Sequence, residues 1–144
     1  MEKHPTSSKQ PLVIFAHSDG YDRLFQVASL ALTAAHSGRP VTVVFFFQAL
    51  HAYVTGRMDE LSFSCVSQPA AEELKRRICS GNQPPPSEML RLARETGLVR
   101  LYACSASVQY TGLELEQAAS AVDEVVGMAT ILRLTLDGPN LIYI

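Results

Sequence analysis

The sequence contains no tryptophan, only three cysteines and few charged residues, which make up 18% of the chain. Three is an odd number of cysteines, and their spacing is not that of a metal site, which argues against a disulfide framework and favours reduced thiols. The formal net charge of −2 at pH 7 provides no strong field that would attract nucleic acid or an anionic membrane. We therefore predict no nucleic-acid partner, no metal and no cofactor.

The chain also lacks a long apolar run. The longest one, over 41–47, is interrupted only by Thr42 and is far shorter than the roughly 20 residues that cross a bilayer. Residues 1–10 are polar, contain two lysines and a proline, and lack the apolar stretch of a signal peptide. We expect a flexible tail over 1–10, a single domain over 11–144, no membrane span and a cytoplasmic location.

Two apolar runs, 12–16 and 41–47, flank an alanine-rich segment with helical periodicity, at about 22–37. Neither run alternates between apolar and polar residues, which predicts parallel strands that are covered on both faces. The helical segment ends at Gly38, a residue typical of helix termini. A strand–helix–strand order with a crossover of this length implies a right-handed parallel connection and an α/β fold.

Shorter elements are predicted in the rest of the chain. Ser87 follows three prolines and is the predicted N-cap of a helix. Residues 61–68 are expected to be irregular. The predicted helices are 49–55, 70–79, 88–96, 113–121 and 127–136, the last of them mostly apolar and buried, and the predicted strands are 98–104 and 141–144.

Cys104 lies where the strand 98–104 ends and a turn of small residues begins. In open α/β sheets ligands and reactive groups collect at the carboxyl ends of the strands. A thiol just before a helix start can be held as thiolate by the positive end of the helix dipole, and the backbone amides of Ser105, Ala106 and Ser107 would form an anion-binding nest. Cys104 is therefore the predicted catalytic residue, and a buried, inert cysteine that closes the strand is the alternative.

Polar residues that follow the first two strands are predicted to line the same edge of the sheet. If strands one and three are neighbours, His17 lies beside Cys104, where it could move a proton or stabilise the thiolate. The alternative is that Asp19 and Gly20 only form the turn and cap the helix. The residues predicted to line this pocket are His17, Ser18, Asp19, Tyr21, Gln48, Ser105, Ser107 and Tyr110.

Two segments together resemble the DsrE/DsrF-like family of small α/β proteins that handle sulfur. The first is 13–23 (VIFAHSDGYDR) with the helix and strand that follow it, and the second is 97–105 (GLVRLYACS) with Gly112 and 125–129. The resemblance implies a three-layer α/β/α fold, flavodoxin-like in general appearance, with a mostly parallel sheet of about five strands. It also implies a homo-oligomer, often a trimer or hexamer, and a cysteine that carries a persulfide, which Cys104 matches by its position after the strand.

The sequence therefore predicts a sulfur-relay protein, sulfurtransferase-like if it is active, with sulfur donor and acceptor proteins as partners. The alternative is a non-catalytic subunit, either a small-ligand-binding module or a structural component of a homo- or hetero-oligomer, because adjacent strand ends in such folds commonly form a crevice. The apolar run that ends at Phe45-Phe46-Phe47 offers more apolar surface than one strand face needs, which is a second reason to expect an oligomer.

Overall fold

The computed structural model describes residues 9–144, and within them the apolar runs of the sequence form a parallel sheet of five strands. Residues 1–8, the greater part of the predicted tail, lie outside the described residues. The end of that segment is tied to the fold, because the backbone oxygen of Gln10 accepts a hydrogen bond from Nε of Arg39. The strands are β1 (Leu12–Ala16), β2 (Val41–Phe45), β3 (Val99–Cys104), β4 (Glu124–Val126) and β5 (Asn140–Tyr143).

Helices connect these strands and form the outer layers of a three-layer α/β/α fold. The fold class that the sequence predicts is therefore confirmed. No helix within residues 9–144 combines the length and the apolar character that crossing a membrane requires. The helices are α1 (Tyr21–His36), α2 (Phe47–Val54), α3 (Gln68–Ser80), α4 (Pro86–Glu95), α5 (Ser105–Tyr110), α6 (Leu115–Ala121) and α7 (Met128–Arg133).

The strand order is β4-β3-β2-β1-β5, and every neighbouring pair is parallel. The prediction that strands one and three are neighbours is wrong, because β2 lies between them. Register aligns the three central strands, since Ala16 pairs with Phe45 and Phe45 pairs with Ala103. The carboxyl ends of β1, β2 and β3 therefore come level at one edge, with β1 and β3 separated by two strand spacings of about 5 Å each.

The two faces of the sheet are covered very differently. On the first face, alternate strand residues such as Ile14, Val43 and Leu101 pack against the apolar sides of α1 and α4, and all three are fully buried. On the second face, the strand residues form a smaller cluster that is completed by Ile131 of α7. All five residues of β1 are buried, which confirms the prediction of a strand covered on both sides.

Two local predictions are wrong. Helix α4 begins at Pro86 with Pro85 as N-cap, and Ser87 lies inside the first turn. Its backbone N–H donates to Oδ1 of Asp59 at 2.9 Å, and its hydroxyl donates to the other oxygen of the same carboxylate. Asp59 thus satisfies one backbone amide, that of Ser87, at this helix start.

Helix α7 is shorter and more exposed than the buried helix predicted over 127–136. Only Ile131 is buried, whereas Met128 is 60% and Leu132 is 64% exposed. A helix of six residues has room for little more than one inward-facing apolar side chain. The three-residue strand β4 and the separate helix α5 are not predicted from the sequence pattern.

Tyr53 of α2 contacts both β2 and the end of α6, and removal of its hydroxyl tests the hydrogen bond to α6. Its ring stacks on Phe45 with 4.8 Å between centroids, and its hydroxyl donates to the backbone oxygen of Ala121 at 2.9 Å. We expect Tyr53→Phe to lower the free energy of unfolding by about 1 kcal/mol, measured by urea denaturation. Tyr110→Phe is the control. Because Tyr110 is 77% exposed, the free energy of unfolding of this variant should equal that of the wild type.

The same pair of variants gives a pH dependence with a defined sign. Burial raises the pKa of the Tyr53 phenol. In the unfolded chain a tyrosine ionises at about pH 10, whereas the folded Tyr53 stays protonated to higher pH. The contribution of Tyr53 to the free energy of unfolding is therefore complete below about pH 10 and is lost as the pH rises further. The decline above pH 10 should be shallower in Tyr53→Phe than in the wild type. Equal declines would show that Tyr53 does not couple folding to pH.

Candidate functional site

Cys104 is the last residue of β3 and stands directly before the first turn of α5. Its backbone is extended, with φ −69° and ψ 122°, so it forms the N-cap of that helix without a side-chain hydrogen bond. The structure places Cys104 at the end of the strand, as the sequence predicts. The sulfur is not accessible as expected, because Cys104 is only 2% exposed in the single chain.

The side chain of Cys104 belongs to the cluster on the second face of the sheet. Its register partner on β4 is Val126, and both residues cluster with Phe46 of the β2 end and with Ile131 of α7. Helix α7 is thus the cover on this side, and Ile131 is its single buried residue. Because few buried apolar contacts hold such a segment, its local opening costs much less than global unfolding.

Ser107 lies in the first turn of α5, three residues after Cys104, and is completely buried. Its hydroxyl has no hydrogen-bond partner among residues 9–144. Side chains at an N-cap and three residues further on are neighbours at a helix start, as capping boxes show. A buried hydroxyl that lacks an acceptor is unfavourable and requires an explanation. The arrangement therefore supplies an unused hydrogen-bond donor on the same helix start as the thiol.

His17 follows β1 and reaches the same edge, but β2 separates it from Cys104. Its ring stacks on Phe46 with 4.4 Å between centroids and an interplanar angle of 7°. His17 is exposed, whereas Phe46 is 6% exposed and belongs to the cluster of Cys104. The condition for a direct pairing of His17 with Cys104, that strands one and three are neighbours, is therefore not met, and His17 contacts Phe46 of the intervening segment instead.

The other residues of the predicted pocket divide between different places. Ser105 is exposed beside Cys104 on α5, and Tyr110 at the far end of that helix stacks on Phe47 with 6.4 Å between centroids. Gln48 is exposed in the first turn of α2, and Ser18 is half-buried in the loop after β1. These residues lie at or near the carboxyl edge of the sheet, but only Ser105 and Ser107 share a helix turn with the cysteine.

Asp19 and Tyr21 belong to two other cavities. Asp19 lines a polar cavity of about 270 Å³ together with His51, Arg57 and Glu60. Tyr21 is buried at the start of α1 and lines a cavity of about 530 Å³ between α1 and α3. Cys104 lines neither of them. The prediction of one pocket is therefore replaced by a buried thiol and two separate cavities.

The sequence analysis missed the aromatic pair Phe46-Phe47 as part of this edge. Phe47 starts α2 with φ +40°, a value that residues other than glycine rarely adopt, and it is 45% exposed. The run of three phenylalanines, from which the sequence predicts surplus apolar surface, is the signal for this part of the edge. Within residues 9–144, no group of three His, Cys, Asp or Glu residues is placed to hold a metal ion.

The family model described as the DsrE/DsrF-like family matches residues 9–144, which is nearly the whole chain. The chain belongs to the DsrE/DsrF-like family. Membership confirms the resemblance drawn from the sequence and suggests a role related to sulfur relay, and members of this family typically form oligomers. No curated protein matches the chain.

Two solved structures share the fold at low sequence identity. A conserved protein of unknown function, BT1422 from Bacteroides thetaiotaomicron, is 14% identical, with a TM-score of 0.62 over 98% of this chain and 100% of that one. A protein of unknown function, MTH1491 from Methanobacterium thermoautotrophicum, is 16% identical, with a TM-score of 0.57 over 94% of this chain and 100% of that one. At these identities the similarity extends to the fold alone.

The unpaired hydroxyl of Ser107 gives a test of the site in the resting protein. We expect Ser107→Ala to raise the free energy of unfolding by about 1 kcal/mol, because it removes a buried polar group without a partner. Urea denaturation measures the change. Ser105→Ala, on the exposed side of the same turn, is the matched control and should change stability by less than about 0.5 kcal/mol. A destabilised Ser107→Ala variant would show that the hydroxyl has a partner in solution.

Proposed function

We propose that this protein is a persulfide carrier in sulfur relay and that Cys104 holds the transient persulfide. The observation that carries the proposal is the position of Cys104 at the carboxyl end of β3, directly before α5, in a member of the DsrE/DsrF-like family. Cys65 and Cys79 lie outside the sheet and are exposed, one in the irregular segment before α3 and the other on that helix. A cytoplasmic location, where thiols stay reduced, belongs to the same proposal.

The transfer needs no oxidant. The Cys104 thiolate attacks the outer sulfur of a persulfide on a donor protein, forms a new S–S bond to it, and breaks the S–S bond to the donor. The donor cysteine leaves as a thiolate and takes up the proton that Cys104 released. An acceptor thiolate then attacks the outer sulfur on Cys104, and Cys104 leaves in the same way.

The surroundings of Cys104 supply hydrogen-bond donors for the charged sulfur. The amides of Ser105 and Ala106 belong to the first turn of α5, where backbone N–H groups have no intrahelical partner. The hydroxyl of Ser107 is a further donor without an acceptor. A persulfide anion on Cys104 would give that hydroxyl the hydrogen bond that it lacks in the resting protein.

Access to Cys104 requires motion, because the residue is 2% exposed. Helix α7 is the element whose displacement would uncover the second-face cluster at the lowest cost, since Ile131 is its only buried residue. The proposal therefore includes an opening of α7 when a donor or acceptor protein binds at the carboxyl edge of the sheet.

We also propose that the chain forms a homo-oligomer, a trimer or hexamer, through the outer side of α7. Met128, Leu132 and Leu136 recur every four residues and are 60%, 64% and 58% exposed, respectively. Met128 and Leu132 are four apart on α7 and so lie on the same side of it, and Leu136 follows in the turn after the helix. These three exposed apolar side chains are here called the α7 stripe. Exposed apolar stripes of this kind are typical of protein interfaces.

A persulfide donor tests the role of Cys104. Inorganic polysulfide is added to the wild type, to Cys104→Ser and to a double Cys65→Ser, Cys79→Ser variant, and intact mass is measured. We expect the double variant to gain the mass of one sulfur atom, because Cys104 is its only cysteine. The wild type should gain one sulfur atom more than Cys104→Ser, since the exposed Cys65 and Cys79 also react in both. A double variant that gains nothing, or equal gains in the wild type and Cys104→Ser, contradicts the proposal.

The low exposure of Cys104 favours the second candidate function, a non-catalytic ligand-binding or structural subunit. Alkylation of the folded protein by iodoacetamide distinguishes the two. In the double cysteine variant, we expect Ile131→Ala to speed alkylation of Cys104 severalfold, because it removes the single buried anchor of α7. Leu132→Ala, on the outer side of α7, is the control. A thiol that stays unreactive in the Ile131→Ala background supports the non-catalytic subunit.

Sedimentation at micromolar concentration tests the oligomer. We expect the wild type to sediment as a trimer or hexamer and Leu132→Glu to shift it towards monomer, because a charge in the α7 stripe opposes burial. Leu115→Glu on α6 is the control, since Leu115 is 62% exposed but lies outside the stripe. A monomeric wild type, or dissociation by Leu115→Glu alone, contradicts an interface on α7.

A further inference from the structure

A cavity of about 530 Å³ lies between the first half of α1 and α3, apart from Cys104 and α5. One wall carries three aromatic rings, with 6.2 Å between the centroids of Tyr21 and Phe25 and 6.1 Å between those of Tyr21 and Phe63. The opposite wall carries Leu74 and Ile78, which are one turn apart on α3. Concave, mainly apolar spaces of this size are typical of small-molecule sites.

The cavity exists because one wall is fixed and the other stands away from it. The loop that holds Phe63 is bound to the start of α1, since the Tyr21 N–H donates to the Ser62 oxygen at 2.7 Å. A Cβ on Gly20 would lie only 3.3 Å from the hydroxyl of Ser64, so the loop is in close contact there as well. Helix α3, in contrast, has no buried residue. Helices that pack directly leave no such space between them.

One end of the cavity carries an uncompensated positive charge. Glu73 accepts two hydrogen bonds from Arg76, at 2.9 and 2.6 Å, and one from Nε of Arg77 at 2.6 Å. One carboxylate therefore serves two guanidinium groups, which leaves one positive charge at this turn of α3. Arg77 lines the cavity, whereas Arg76 does not. The terminal nitrogens of Arg77 make no hydrogen bond within residues 9–144.

The negative charge in the lining, that of Asp22, is paired with Arg23 and not with Arg77. Asp22 belongs to the first turn of α1, where the helix dipole favours a carboxylate, and it lies 3.9 Å from Arg23. Burial raises the pKa of the Tyr21 phenol, with smaller contributions from Asp59 and Cys79, so this group stays neutral over the physiological range. The aromatic wall therefore adds no negative charge that would repel an anion.

We propose that this cavity binds a small amphiphilic anion, with a flat aromatic body against Tyr21, Phe25 and Phe63 and an acidic group at Arg77. The aromatic rings and the aliphatic wall of α3 hold the body by apolar contact. The planar guanidinium of Arg77 suits a carboxylate, sulfonate or phosphate, which it can bind with two parallel hydrogen bonds. This site is separate from the proposed sulfur relay.

Two fluorescent probes with the same rings test the charge preference. Anilinonaphthalene sulfonate carries an acidic group, and phenylnaphthylamine is the same skeleton without it. We expect the wild type to bind the sulfonate about fivefold to tenfold more tightly, as a charge-assisted hydrogen bond would give. Arg77→Gln should abolish this preference, and Arg76→Gln should retain it because Arg76 binds the same Glu73 but does not line the cavity.

A substitution on α3 tests the apolar wall without changing the core. Leu74→Ser should weaken the binding of both probes severalfold without a change in thermal unfolding, because α3 contributes no buried residue. Cys104→Ser should bind both probes as the wild type does, which separates this test from that of the sulfur relay. Equal losses in Arg76→Gln and Arg77→Gln, or unchanged binding in Leu74→Ser, would place the probes elsewhere and overturn the proposal.

Discussion

Burial of both faces of the central strands is the constraint on which the rest of the structure depends. All five residues of β1 are buried, and so are all residues of the neighbouring β2 except Thr42, which is half-buried. Alternation along β3 directs Ala103 to the first face and Cys104 to the second. The first face has the long helices α1 and α4, while the second is completed by the short α7. The thiol therefore lies under the thinner of the two layers.

The sequence was sufficient to predict the elements whose burial is complete. The run at 12–16, the first five residues of the run at 41–47 and the alanine-rich helix between them form the elements predicted for them, and their apolar patterns are strong because the core buries them. The strand predicted over 41–47 ends at Phe45, since Phe46 caps α2 and Phe47 begins it. The sequence also predicted that Cys104 ends a strand, because the small residues after it interrupt the apolar run. These predictions rest on patterns within about ten to twenty residues of chain, the scale at which hydrophobic periodicity is informative.

What could not be predicted depends on contacts between distant segments. The order of strands is decided by which edges pair, and β5, at the end of the chain, occupies the free side of β1. That arrangement separated His17 from Cys104. The interaction of Ser87 with Asp59 likewise joins two segments 28 residues apart. The local motif after the prolines therefore predicted Ser87 as the cap, whereas the carboxylate of another segment binds at this helix start. Cys104 and Ile131 likewise share one buried cluster although they lie far apart in the sequence.

The two candidate sites share a physical feature, which is that each is covered by the most loosely held helix nearby. Helix α3 has no buried residue and forms one wall of the aromatic cavity, and α7 has one and covers the cluster of Cys104. The sheet fixes the position of the thiol and the buried helix α1 fixes that of Tyr21, while α3 and α7 supply the parts that can move at low cost. The position of α7 also links the proposed oligomer to the thiol. The exposed α7 stripe and the buried Ile131 belong to the same short helix and the turn after it, so contacts between subunits and access to Cys104 act on one element. In the proposed oligomer, subunit contacts that hold α7 down would restrict the thiol, and contacts that draw it outwards would expose the thiol to a donor.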